Sequence, residues 1–427
     1  MRRALFLMAI AFTPVTLWAQ GEPLGPEFRV NTYTTNEQTD VAVSQSKANG
    51  DFLVVWASDG QDGSGLGIYG QRHNGCGGVP LGSEFRVNTY TTGSQRHPSV
   101  VAPSILGNYV VVWESEAEDG SSGGIFGQRY ALSGLPLGPE FRVNTFTTLQ
   151  QVQPSVGISG NGDFVVVWSS KGQDGQDYGV FGQRYAVSGA PLGGEFQVNT
   201  YTTGYQSHPD VACVPSFTTA DCIVVWTSQG QDGSSGGVFG QRLLNGAPTG
   251  PEFRVNSYTT GYQGDVSIDD GGQFVAAWSS DGQDGSDRGV FAQRFSSFGG
   301  FPEGPEFRVN TYTAGYQGSA SVGFDGSGFV IVWSSNGQDG SSSAVFGQRY
   351  NLGMNGIPDG PEFRVNTYTT GAQELAAAAA ETGNLAVGGR FVVVWQSNGQ
   401  DGSGNGVFGQ CFEYMTVPVK LMDATIE

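Results

Sequence analysis

The residues best able to do chemistry come in sets of seven. An Asp inside a "GQDGS"-like loop stands at Asp62, Asp119, Asp174, Asp232, Asp284, Asp339 and Asp401, and a Gln recurs at 38, 95, 151, 206, 263, 317 and 373. Three of those glutamines, Gln206, Gln263 and Gln317, follow Tyr205, Tyr262 and Tyr316 in the phrase "GYQ". Carboxylates in glycine-rich loops suit calcium, an ion that collects roughly six to eight oxygens, so the seven aspartates are candidate calcium ligands. Each loop guarantees only one of them and lacks the spacing of an EF-hand. Tyrosine rings beside amides suit a sugar, which is held by stacking and planar hydrogen bonds, so the three Tyr-Gln pairs are candidate glycan ligands. A structural account competes with both: Asp-Gly pairs make turns, and Gln and Asn satisfy buried backbone between neighbouring units. Retention in every copy favours that structural account.

The remaining reactive residues do not assemble a catalyst on paper. The histidines are His73, His97 and His208, two of them at the same "HP" position of their copies, which gives neither a zinc set nor a Ser–His pair. Acid pairs serve glycosidases, yet seven equivalent copies offer no unique pair. Cys213 and Cys222 flank "VPSFTTAD", where a hairpin can bring them to bonding distance, and Cys76 and Cys411 belong to the first and last copies.

The elements that must position these residues repeat with a period in the fifties, because the Glu that opens each unit falls at 27, 84, 140, 195, 252, 306 and 362. Such a period with several strand-like runs marks a solenoid or propeller. The third unit reads "PSVGIS", small and short; "DFVVVW", apolar throughout; "VFGQRY", mixed; and "EFRVNT", alternating. That gradient fits an all-β, seven-bladed β-propeller of four-stranded blades, ordered from a crowded axis through a strand buried on both faces to a half-solvated rim. The alanine run in "ELAAAAAE" then marks crowding at the axis, although alone it would be helical. The chain opens with an outer-type strand (27–32) and its last copy lacks one, so the N-terminal strand is expected to complete the last blade and close the ring without an exposed edge. The seven tryptophans from Trp56 to Trp395 end the most apolar strand and are expected between blades. Arg129 faces Glu140 across a short hairpin as a candidate ion pair.

Composition bounds the setting. "MRRALFLMAIAFTPVTLWAQ" has the layout of a signal peptide over 1–19, leaving the propeller at 20–414 and a tail at 415–427. Removing Arg2 and Arg3 with the leader leaves 18 of the 20 basic residues against 39 acidic ones, a net charge of −21. Such a surface repels nucleic acid and anionic lipid, and no later stretch is apolar enough to span a membrane. A secreted or cell-surface protein with a glycan or protein partner is expected.

The phrases "GPEFRVNTYTTGYQ", "FVVVWSS" with "GQDGS", and "GVFGQRY" resemble repeats of large secreted bacterial proteins, sometimes found beside RTX-type calcium-binding repeats, over roughly residues 22–412. The loop also resembles the Asp-box of sialidase-type propellers in setting Asp and Gly between the same two strands, with Phe or Tyr where that box has Trp. The resemblance implies that the Asp is structural. The expectation is therefore a non-enzymatic binding or scaffold propeller working through one polar loop face. The alternatives are a carbohydrate-active, glycosidase-like enzyme and a purely structural, calcium-stabilised surface repeat protein.

Overall fold

The computed structural model describes residues 21–47, 49–102, 108–214, 221–296, 300–325, 327–352, 356–380 and 389–414; the leader and the C-terminal tail lie outside them. Seven antiparallel sheets form a ring of seven blades. Their innermost strands are Gln38–Gln45, Gln95–Val101, Gln151–Ile158, Gln206–Cys213, Gln263–Asp270, Gln317–Phe324 and Gln373–Ala380, which number blades one to seven. The second strands, such as Phe164–Lys171, are buried nearly end to end, as a strand packed on both faces must be. Each carries its Trp fully buried in the core between blades. The alanine run is a strand, since tertiary packing at a crowded axis overrides its helical propensity.

The ring closes as the sequence suggests. Phe28–Arg29 pairs with the third strand of blade seven, Phe28 opposite Gly409 and Arg29 opposite Phe408, and Glu22–Pro23 continues on the same strand. Cys76 and Cys411 share the apolar cluster at this closure. Cys213 and Cys222 face each other across the hairpin of blade four and are joined by a disulfide.

The outer strand is far shorter than its alternating pattern suggests, a two-residue ladder in each blade, because an asparagine side chain takes over the backbone's work. In blade two, Phe141–Arg142 pairs with Phe126–Gly127, and the next N–H to need a partner, that of Ile125, is accepted by Asn144 Oδ1 at 2.7 Å. Asn144 Nδ2 then donates to Phe146 O (2.8 Å) and to Gln151 Oε1 (3.1 Å), at the start of the next inner strand. The same Asn–Gln link occurs at all seven seams, including Asn31 to Gln38 at 3.1 Å.

A second link runs along the rim. The Glu that opens each outer strand accepts the backbone N–H of a Thr or Ser on the preceding blade, as in Glu195 to Thr145 (2.7 Å), and at the closure Glu27 does the same for Thr367 (2.8 Å). Arg129 does not pair with Glu140; it donates to Val187 O (2.9 Å) and Leu137 O (3.1 Å). Glu140 is instead committed to Thr89 N–H at 2.6 Å, on the preceding blade.

In six blades the Gln of "GQDG" donates to this Glu, as Gln231 does to Glu252 at 3.1 Å. Blade two reads "AEDG", so Glu118 faces Glu140 there. Burial, then the contact with Glu140 and the charges of Glu140 and Asp119, push Glu118 up to about 8, with Ser115 opposing. A carboxyl whose folded-state pKa is raised contributes stability that is complete below its unfolded value and lost as pH rises through the folded one. Glu118→Gln, which restores the common amide, is therefore expected to leave Tm nearly unchanged at about pH 5 and raise it at about pH 9. A Tm difference between the two proteins that does not change with pH would refute the assignment.

Candidate active site at the axial mouth

Seven wedge-shaped blades meeting at an axis leave the inner strands little room, and each relieves the crowding with a bulge. The register between inner and second strands shifts at Thr39/Ala42, Arg96/Ser99, Val152/Ser155, Ser207/Asp210, Gly264/Ser267, Gly318/Ser321 and Glu374/Ala377. Bulges re-aim a side chain. The first of the two residues inside each bulge is Asp40, His97, Gln153, His208, Asp265, Ser319 or Leu375, and every one is left-handed, with φ between 49° and 56°. That conformation is strained for a residue bearing a Cβ, at a cost of about 1 kcal/mol or more each, and glycine would remove the strain. A chain with 68 glycines places none at these seven positions. The strain is kept along with the side chains.

The seven lie at the polar-loop end of an axial channel of 620 Å³, a volume typical of a small-molecule pocket. Four of them form two linked pairs. Asp40 Oδ2 accepts the His97 backbone N–H (3.3 Å) and lies 4.0 Å from its Nε2, while Glu114, on the neighbouring second strand, sits 3.0 Å from His97 Nδ1. Burial alone would lower His97, but the hydrogen bond to Glu114 and the charges of Asp40 and Glu114 outweigh it, and its pKa lies above the ordinary value. Gln153 contacts His208 side chain to side chain (2.7 Å) and accepts its backbone N–H (3.2 Å); burial holds His208 below the ordinary value. Asp265, on blade five, accepts from Arg288 at 3.2 Å and from the Tyr262 hydroxyl at 3.5 Å. Ser319 meets the Tyr316 hydroxyl at 3.4 Å, and Leu375 supplies an exposed apolar edge.

Below the mouth the wall is stitched blade to blade. Ser99, Ser155, Asp210, Ser267 and Ser321 accept N–H groups of the next inner strand at 2.9 to 3.4 Å. At the far end Asp269 and Asp270 line the channel with Lys47. Asp270 is buried with its Oδ2 unpartnered, and burial pushes it up to about 7 despite the nearby Lys47 charge.

The residues singled out in the sequence fall into three places. Gln206, Gln263 and Gln317 are fully buried: each accepts from an Asn of the preceding blade, and each donates to a loop carbonyl at 2.8 to 2.9 Å. No side of these amides faces a ligand. Tyr262 and Tyr316 are occupied, their rings flanking the Arg288 guanidinium at 5.1 and 5.4 Å from the two centroids. Tyr205 alone of the three is exposed, at 46 %.

Asp62, Asp119, Asp174, Asp232, Asp284, Asp339 and Asp401 each close a turn by accepting the N–H two residues on, at 2.9 Å for Asp339 to Ser341. In six of them the second oxygen lies against a glycine at the start of the next strand, where a Cβ on Gly124 would meet Asp119 Oδ2 at 2.6 Å; the seventh, Asp339, has Ala344 at that place. The seven stand one per blade, and among the described residues no group of three or more His, Cys, Asp or Glu is placed to hold a metal ion. His73 is remote from the mouth, stacked on Phe52 at 4.8 Å and lowered to about 4 by burial. The sequence carries one signal for the axial ring: aligned on the recurrent Gln, the seven copies read "QTD", "QRH", "QVQ", "QSH", "QGD", "QGS" and "QEL", and the third letter, unlike the invariant Gln, is not held.

No protein-family model matches the chain, and no curated protein matches it in sequence. Solved structures match its fold. A protein of unknown function from Dyadobacter fermentans is similar over 92 % of this chain and 99 % of its own, with a TM-score of 0.51 at 9 % identity. An α-L-arabinofuranosidase from Fusarium graminearum matches over 92 % and 98 %, with a TM-score of 0.49 at 11 % identity. A thermostable family-43 glycoside hydrolase matches over 80 % and 97 %, with a TM-score of 0.38 at 11 % identity. At these identities the likeness concerns the fold alone. The expectation of a non-enzymatic module is nonetheless corrected here. It rested on seven equivalent copies offering no unique acid pair, whereas the axial ring is built of seven positions filled by unlike residues. Among the described residues no helix is long and apolar enough to cross a membrane.

Because the folded-state pKa of Asp270 is raised, its contribution to stability is complete below the unfolded value near 4 and lost as pH rises through about 7. Asp270→Asn keeps the acceptor for Gly272 N–H (3.1 Å) and removes the buried charge. Thermal melts are expected to give equal Tm near pH 4 and a higher Tm for the variant near pH 8; equal melts at both would contradict the burial of this charge.

Proposed function

We propose that the protein is an exported carbohydrate-active enzyme that cleaves a neutral glycan at the axial mouth. The observation that carries this reading is the ring of seven unlike side chains on strained, non-glycine backbone around a 620 Å³ channel. Strain of this kind concentrates at functional sites. The kind of substrate follows from the arcs of the ring. His97 and its Glu114 partner, on blade two, hold a proton at the mouth, and Asp265, on blade five, presents a carboxylate fixed by Arg288 on the other side. Glycoside hydrolysis asks for an acid on one side of the bond and a carboxylate on the other.

In this scheme His97 gives its proton to the leaving glycosidic oxygen as the C–O bond breaks. Asp265 takes a proton from the attacking water, whose oxygen forms the new bond to the anomeric carbon. Asp40 is a positioning residue that fixes His97 through its backbone N–H. The net charge of −21 after loss of the leader disfavours a polyanionic substrate. The leader, and the likeness of the repeats to those of large secreted bacterial proteins, support a place outside the cell or on its surface.

The test is sugar release by purified residues 20–427 from a panel of neutral polysaccharides, beginning with arabinan because the similar folds include an α-L-arabinofuranosidase. Asp265→Asn and His97→Gln are each expected to lower kcat by about 100-fold or more with Tm held within a few degrees. Release from no member of the panel, or full activity in Asp265→Asn, would remove the proposal. The pH profile gives an independent check. An acid must be protonated, so wild-type activity should fall as pH rises through a pKa above the ordinary 6.5 of histidine, and that limb should vanish in any residual activity of His97→Gln.

A further inference from the structure

One aromatic surface on the loop face is left open. Tyr205, in the loop that enters the inner strand of blade four, lies on Tyr178, the first residue of the third strand of blade three, with ring centroids 6.0 Å apart and planes at 27°. The Tyr178 hydroxyl donates to Gln150 Oε1 at 2.6 Å, and its ring lies 5.4 Å from Lys171 Nζ. Asp177, whose nearby carboxylate raises the pKa of the Tyr205 hydroxyl, also pairs with Lys171 at 3.8 Å. Leu149, 49 % exposed, belongs to the same stretch as Gln150.

The other two tyrosines at this position, Tyr262 and Tyr316, are closed. Arg288 stands where Tyr178 does and covers Tyr316 as well as Tyr262, and Tyr262 also packs flush on Gly236, where a Cβ would meet its ring at 2.7 Å. The open pair thus breaks the sevenfold pattern, as the axial ring does, and it breaks it on the same arc. Gln150 precedes Gln153 by three residues and Tyr205 precedes His208 by three, and Gln153 and His208 are the bonded pair at the mouth.

An exposed ring face with carboxylate, ammonium and amide groups at its edge matches the two-sided chemistry of a sugar, whose C–H face stacks while its hydroxyls reach for polar atoms. We infer that the Tyr178–Tyr205 platform is a distal sugar subsite, so that the substrate is a glycan chain long enough to run from the axial mouth over blades three and four. This rests on the glycan reading of the mouth and adds chain length and direction to it. Tyr205 supplies the stacking face. Tyr178 positions it, held by Gln150 and Lys171.

The experiment pairs affinity electrophoresis with kinetics. Wild type, Tyr205→Ala, Tyr205→Phe and Asp265→Asn are run in native gels containing each soluble polysaccharide of the panel, and kcat/KM is compared for the polymer and for a short aryl glycoside. Tyr205→Ala is expected to lose retardation and to lower the ratio of polymer to aryl-glycoside kcat/KM about tenfold, the scale of one aromatic contact. Tyr205→Phe, which keeps the ring, should retain both, and Asp265→Asn should be retarded like wild type. Retardation that depends on Tyr205 without sugar release would sink the catalytic proposal and leave the subsite standing. Turnover of polymer with an unchanged ratio in Tyr205→Ala, or wild-type mobility unaffected by every polysaccharide, would overturn the subsite.

Discussion

Ring closure is the constraint on which the rest of the structure depends. Seven four-stranded sheets share one axis, so seven inner strands must converge where there is space for little more than backbone. The sequence answers with Ala, Ser and Gly along those strands, and the backbone answers with a bulge at the same place in each. Once the bulge exists, a side chain on the left-handed residue is delivered to the channel mouth whatever its chemistry. A packing solution therefore generates a ring of independently variable positions at the end of a channel, which is where an active site can be written without disturbing the blades.

The residues that do repeat are occupied in holding that ring together. Asn of "VNT" replaces a stretch of sheet ladder and ties each blade to the recurrent Gln of the next; the opening Glu reaches back to the preceding blade; Asp closes the turn on the loop face. Each of these groups is a buried or half-buried polar atom whose loss would strand a partner, and a net cost of about 1–3 kcal/mol per stranded group explains why the same letters stand in every copy. The closure at Glu27 and Thr367 uses the same contacts as the internal seams, so the non-covalent join is chemically indistinguishable from the others.

The separation of roles also shows how far the text could be read. Blade number, strand order and closure by the N-terminal strand were legible, because hydrophobic gradient and period translate directly into layers. The Trp positions were legible for the same reason. The outer strand was not: "EFRVNT" alternates like a full strand, but a side chain with both a donor and an acceptor can substitute for backbone, and no pattern rule registers Asn144 doing so. The candidate site residues were only partly legible for a related reason. Tyr205 is open at the surface. Invariant Gln206, Gln263 and Gln317 attracted attention, and they are buried linkers, whereas Asp40, His97 and Asp265 looked like noise between conserved letters.

Sequence by itself determined the class, the seven units and the acidic charge, since composition and periodicity depend only on the order of residues along the chain. It also held Asp339 and its six equivalents to be turn residues, a local property of Asp followed by Gly. Tertiary structure alone decided which residues meet. Asp40 and Asp265 are 225 positions apart in the chain and are brought to one channel mouth by the circular order of the blades, and Tyr205 differs from Tyr262 and Tyr316 through the neighbour that a separate blade supplies as well as through Ser207, which stands where Gly264 and Gly318 leave room for their rings. Contacts between blades depend on angles around an axis, and a linear text does not contain them.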